Sequence, residues 1–207
     1  FRFNGRHVYL TDAGKPAAIL VLDLDTGQVR RVLNDVKSVT QLRPLMAEGR
    51  PLVDPKGKPV VVNADQLEVS PDGRYFYYQS CTGPFYRIET RWLDDPATPA
   101  DEVSRHAELY ADTPSTGGTA IDAAGNIYSS DTDKLRIIKI APDGTQSTFA
   151  QDPRLLWVDA MWIDDAGYLW IPAAQMNRTA NFNGGVDAVE RPTVVYKMKI
   201  DAAPVRR

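Results

Sequence analysis

The stretch TGGTAIDAAGNIYSSDTDKLRIIKIAPDGTQSTFA, residues 116–150, decides the fold. It holds four short runs with apolar or β-branched character, at 119–122, 126–130, 136–140 and 145–150. Ala123-Ala124-Gly125 ends the first run and Pro142-Asp143-Gly144 ends the third. Short runs parted by Gly, Asp and Pro are hairpin punctuation, because these residues supply the turn conformations that strands cannot adopt. The stretch therefore predicts one antiparallel, four-stranded meander.

The same unit recurs along the chain. Aligning on the glycine after each first strand puts Gly5, Gly73, Gly125 and Gly167 in register. An aromatic-bearing second strand follows each: His7-Val8-Tyr9-Leu10, Tyr75-Phe76-Tyr77-Tyr78, Ile127-Tyr128-Ser129 and Tyr168-Leu169-Trp170-Ile171. Third strands are expected at 18–24, 85–88, 136–140 and 193–200. Fourth strands are expected at 29–33, 108–110 and 146–150, and the last unit lacks one. A helical pattern at 100–110 is read as a helical turn over 101–105 followed by strand.

Four-stranded units recurring every 40 to 50 residues or so are the mark of a β-propeller, whose blades bury one another's faces. The expected fold is thus all-β, one propeller domain over residues 1–207, with units at about 1–34, 60–110, 111–151 and 155–201. About four blades are present. A four-bladed ring would have to close by pairing unlike ends, so part of a six-bladed ring is the favoured reading. Such a part would expose the flanks of its terminal blades, so it should be poorly soluble alone or be completed by another chain. The opening Phe1-Arg2-Phe3 is already strand-like, which suggests further residues upstream.

Composition narrows the partners. The 207 residues are 43% hydrophobic and 25% charged, at globular averages. A net charge of −3 leaves no basic surplus for phosphates, so nucleic acid is not an expected partner. No apolar run approaches the ~18 residues of a spanning helix, so no membrane partner is expected either. Cys81 is the only cysteine, which excludes an internal disulfide framework and a cysteine-built metal site. In a strand-like run it reads as a small buried hydrophobe.

Two segments depart from the unit. Residues 35–59, rich in Pro, Gly and charge, link the first two units as an excursion over one face. Residues 177–191, NRTANFNGGVDAVER, are inserted between the second and third strands of the last unit. Long loops on a rigid scaffold are common places for binding sites, and tolerated surface insertions are equally common.

In a propeller the inner strands line a central channel, and the residues at its mouth meet ligands. Asp65, Gly117 and Asp159 occupy equivalent positions ahead of three inner strands. Two convergent carboxylates, with amide oxygens from Asn63, Gln66 and Gln175, would suit Ca²⁺ or another divalent cation. An Asp before a strand also commonly satisfies turn backbone groups, and that reading stays open. Trp157 and Trp162 flank Asp159 and would wall a pocket for an apolar ligand. His7 and His106 have no partner at ligand or triad spacing.

Several motifs are more specific. ADQLEVSPDG at 64–73, TPSTGGTAID at 113–122, QDPRLLWVD at 151–159 and QMNR at 175–178 resemble the yellow/major royal jelly protein family, in its bacterial branch. That resemblance implies a six-bladed propeller and a secreted or periplasmic protein, with a small ligand such as an amine in the channel. The wider superfamily is similar to the gluconolactonase group, which implies a divalent metal held by Glu, Asn and Asp for opening lactones. Here Asp65 stands at the Asn position, Gly117 at the Asp position, and the Glu would precede Phe1. The expected function is small-ligand binding at the channel mouth by Asp65, Asp159, Trp157, Asn63 and Gln175, with Asp65 and Asp159 as cation ligands. The alternative is a metal-dependent lactonase or esterase.

Overall fold

The computed structural model describes residues 1–206. Four antiparallel meanders appear where the repeats place them, and the fold is of the β-propeller class. The first blade is β1 (Arg2–Asn4), β2 (His7–Asp12), β3 (Ala18–Asp23) and β4 (Val29–Val32). A small hairpin follows, β5 (Met46–Ala47) and β6 (Arg50–Pro51). The second blade is β7 (Ala64–Val69), β8 (Tyr75–Ser80), β9 (Phe85–Glu89) and, after helices α1 (Thr90–Asp94) and α2 (Ala100–Arg105), β10 (Glu108–Ala111). The third is β11 (Thr119–Ile121), β12 (Ile127–Asp131), β13 (Arg136–Ile140) and β14 (Gln146–Gln151). The fourth has three strands, β15 (Trp162–Ile163), β16 (Tyr168–Ala173) and β17 (Val194–Lys199). Among the described residues, no helix is long and apolar enough to cross a membrane.

Turn chemistry explains why the repeat was visible. Gly5, Gly73, Gly125 and Gly167 all have positive φ, between +59° and +82°, which side chains strain to adopt. In the last three the glycine N–H donates to the carbonyl three residues earlier, on Ser70, Asp122 and Asp164, at 2.8 to 3.0 Å. The same three residues accept a second bond through their side chains, from Tyr75, Asn126 and Tyr168 backbone N–H groups. One turn is therefore stamped out repeatedly by Ser or Asp and a glycine.

The chain forms two compact units. Unit one is Phe1–Leu42 with Val62–Asp112, the first two blades. Its core stacks Tyr9, Ile19 and Val21 against Val69, Phe76 and Tyr78, with the Tyr9 and Phe76 rings 5.0 Å apart. At the inner strands, Arg2 donates twice to the buried Glu68 carboxylate, at 2.8 and 2.9 Å. Tyr9 Oη donates to Asp94 Oδ1 at 2.6 Å, and His7 Nδ1 lies 3.2 Å from the same oxygen. Burial holds the Asp94 carboxyl above its usual range, so that hydroxyl matters. Tyr9→Phe should lower stability by about 1.5 kcal/mol, the size of a bond to a charged acceptor. A urea midpoint equal to wild type would count against this.

Unit two is Arg43–Val61 with Thr113–Val205. Its core sets Ala120, Tyr128 and Ile137 of the third blade against Ile163, Leu169 and Ile171 of the fourth. The excursion after the first blade is more than a link. From Arg43 onward it is stitched to unit two: Met46 N–H donates to Ser115 Oγ at 3.0 Å, and Gly49 N–H to Asp133 Oδ1 at 2.9 Å. Gly184 N–H donates to the Val53 carbonyl at 3.0 Å, which ties the excursion to the fourth-blade insertion. The fourth blade's other face carries Trp162 and Trp170, paired across β15 and β16 and 58% and 38% exposed. Lys197 lies over the Trp170 ring at 5.4 Å, and Trp170 Nε1 donates to Asp164 Oδ2 at 2.8 Å.

Candidate functional site

Of the residues expected at the channel mouth, Asn63 and Asp65 lie in unit one. Asn63 is buried, accepting from Gln41 N–H at 3.0 Å and donating to the Gly14 carbonyl at 2.8 Å. Its amide ties loops together. Asp65 lies at a register shift in β7, where the strand bulges against β8. Its Oδ2 accepts from Gln66 Nε2 at 2.6 Å and from the buried Cys81 thiol at 3.0 Å.

Asp159, Trp157 and Gln175 lie in unit two. Asp159 Oδ1 accepts from Ala160 N–H at 2.7 Å, a local turn bond. Trp157 (φ +47°) and Gln175 (φ +55°) come together, since Ala174 N–H donates to the Trp157 carbonyl at 3.1 Å and Gln175 N–H to Leu156 at 3.2 Å. Trp157 is buried, its ring edge-on to Phe182 at 5.8 Å. Trp162 is on the fourth blade's exposed face. The Gln175 amide grips the Glu190 backbone at both groups, donating at 2.9 Å and accepting at 3.0 Å.

The gluconolactonase-type metal set can be tested on these residues. A Cβ at Gly117 would lie 2.5 Å from the Val158 carbonyl and 2.8 Å from Trp157 Nε1, so the Asp of that set has no room here. Among the described residues, no three His, Cys, Asp or Glu side chains gather closely enough to hold a metal ion. Gly117 therefore leaves that set without its Asp.

The best-formed polar cluster joins the two loop segments within unit two. At the hairpin tip Glu48 has φ +51°, a strained conformation for a side-chain-bearing residue. Its carboxylate accepts from Arg178 Nη2 at 2.8 Å and Nε at 3.1 Å, a two-point grip, and from Asn177 Nδ2 at 2.6 Å. Arg178 Nη1 reaches Glu190 at 2.8 Å. Arg178 also lines a cleft of about 390 Å³ with Arg154, Gln175, Glu190, Arg191 and Tyr196. In the sequence QMNR stands out as a motif and Asn177-Arg178-Thr179 matches the glycosylation acceptor pattern, yet nothing there assigns a role to Arg178 or Glu48. The acid and the arginine are 130 residues apart, and no local pattern announces the pairing.

The Arg178 hydrogen bonds hold the Glu48 carboxyl below its usual range, with Asn177 adding to the effect. A depressed folded-state pKa means the pairing contributes fully above the unfolded carboxylate value, near about 4.3, and is lost as pH falls through the lower folded value. Between pH 7 and pH 3, Glu48→Gln should therefore lose less thermal stability than wild type. Parallel Tm profiles for the two proteins would contradict this.

No protein-family model matches the chain, and no curated protein sequence matches it. Solved structures do match. A gluconolactonase from Xanthomonas campestris aligns with a TM-score of 0.54 at 14% identity, over 82% of this chain and 56% of its own. A luciferin-regenerating enzyme aligns at 0.58 and 15% identity, over 96% of this chain and 60% of its own. An auxiliary nutrient binding protein from Bacteroides thetaiotaomicron aligns at 0.54 and 9% identity, over 82% and 34%. The chain thus spans 60% or less of the length of these neighbours. The resemblance to yellow-type proteins rests on its motifs alone. What the matches establish is a fold, that of a β-propeller.

Proposed function

We propose that this chain is the larger part of a gluconolactonase-like propeller that binds and opens a small cyclic ester, with blades beyond these four completing the ring. The observation that carries the reading is the cleft in unit two, which brings Arg154, Arg178 and Arg191 together in a volume suited to one small molecule. Guanidinium groups there can orient ester oxygens and receive the carboxylate that ring opening creates. The likeness in fold to a gluconolactonase and a luciferin-regenerating enzyme agrees with it. Incubating the full-length protein with a panel of sugar and alkyl lactones, with and without chelator, tests it. Ring opening above the spontaneous rate supports the reading, and neither turnover nor binding would sink it.

A second reading is binding without turnover. Its support is that each cleft arginine already holds a carboxylate: Arg154 that of Asp152, Arg178 that of Glu190, and Arg191 that of Asp187. Asp152 is drawn down to about 2 by the Arg154 bonds, which makes it a weak base for activating water. Asp65 in unit one and Asp159 in unit two remain separate candidate ligand contacts on this reading. Binding lost on substituting them, with no turnover in the parent, would select it.

A further inference from the structure

We infer that Asn177 is the acceptor of a subsite for a neutral hydroxyl group of the ligand, entering by the cleft that Arg178 lines; this rests on the small-molecule reading of that cleft. Asn177 is 1% exposed, and its Oδ1 has no hydrogen-bond partner. Its orientation is not arbitrary. The 2.6 Å contact with Glu48 Oε2 requires the amide nitrogen on that side, because a carboxylate held ionised by Arg178 can only accept. The oxygen is therefore the end left over, and a buried acceptor without a donor is destabilising by roughly 1 to 3 kcal/mol unless something fills it. Whatever fills it must donate.

Charge decides what kind of donor. Both Glu48 oxygens are engaged, and the Arg178 guanidinium balances the carboxylate. A metal cation or an ammonium would meet the guanidiniums of Arg178 and Arg50, which already balance the Glu48 and Glu190 carboxylates. A hydroxyl brings a donor and no charge, so a polyol, a sugar lactone or a sugar acid fits. Of the Arg178 contacts, the one to Glu190 is the most lightly held. The Glu190 side chain, 78% exposed, meets Arg178 through one oxygen at 2.8 Å, and an exposed pair of this kind contributes little. Gln175 meanwhile keeps the Glu190 backbone in place, so the side chain can swing away without moving its loop.

The test is titration calorimetry of the full-length protein with D-gluconate and D-glucitol, neither of which has a lactone ring to open. Asn177→Leu removes the acceptor at similar volume. Glu48→Gln offers Asn177 Oδ1 an internal N–H donor in place of the ligand and serves as the second variant should the first not fold. Both should weaken D-glucitol at least tenfold, while Asp143→Ala, in the exposed turn between β13 and β14, leaves it unchanged. Equal D-glucitol affinity in a folded variant and wild type overturns the inference. So does tighter binding of methylammonium than of D-glucitol, or a D-gluconate-soaked crystal in which Oδ1 holds only a water. Lactone turnover unaffected by either variant would overturn the subsite and leave the proposed function standing. D-glucitol binding lost in the variants, with no turnover in wild type, would do the reverse.

Discussion

Gly118→Ala should destabilise the chain by about 3 kcal/mol or more, the upper end of what overpacking does and beyond most single substitutions. An added Cβ would fall on the Asp159 carbonyl carbon and the Ala160 nitrogen, and 2.5 Å from the Asp159 oxygen. These are backbone atoms and cannot swing aside. Residue 117 is no freer, because its Cβ would meet Val158 and the Trp157 ring. The two glycines let the strand entrance of the third blade lie directly on the segment that opens the fourth. Ser130 seals the approach, its Oγ accepting from Gly117 N–H at 2.9 Å and Gly118 N–H at 3.2 Å and donating to the Val158 carbonyl at 2.8 Å. Gly14→Ala is the control, since its Cβ would meet only the movable Asp12 carboxylate at 3.0 Å. Urea unfolding of both variants gives the answer, and a Gly118→Ala midpoint near that of Gly14→Ala would refute the close approach.

Arg178→Leu should lower stability by about 2 to 3 kcal/mol, at the lower edge of what breaking a fully buried pair does, because both side chains still meet some water. The loss arises from what remains. Glu48 would be left with Asn177 as its side-chain donor, on a strained hairpin tip that the two-point arginine grip holds in place. Lysine at 178 should recover less than half of the loss, since a point charge cannot reproduce two parallel N–H bonds. Ligand affinity at the cleft should fall at least tenfold in the leucine variant under native conditions. Stability within 0.5 kcal/mol or so of wild type would show the pair to be ornamental, as most exposed pairs are.

The fold was legible because its signals are local. A glycine three residues after Ser70, Asp122 or Asp164 writes the same turn each time, and aromatic strands follow at once. The missing outer strand of the last blade and the helical turn ahead of β10 were readable for the same reason. Contacts between distant segments were not. Residues 43–61 read as a connector because nothing in their composition says that Met46, Gly49 and Val53 will find partners beyond residue 110. His7 has no triad spacing in sequence, yet it meets Asp94. Asn63 was expected to offer an amide oxygen outward, but backbone groups on two other loops occupy its amide. Two tryptophans near Asp159 suggested a single wall, whereas Trp157 turns inward and Trp162 outward, because only the latter sits in strand alternation on the outer face of β15.

The outward pair Trp162 and Trp170 also equips the fourth blade with a built-in optical gauge. Indoles in water emit at longer wavelength than indoles against hydrocarbon, and Lys197 beside Trp170 adds a quencher whose distance any covering surface would reset. Anything that settles on this blade, be it another polypeptide or a crowding neighbour, would announce itself as a blue shift without a label being attached.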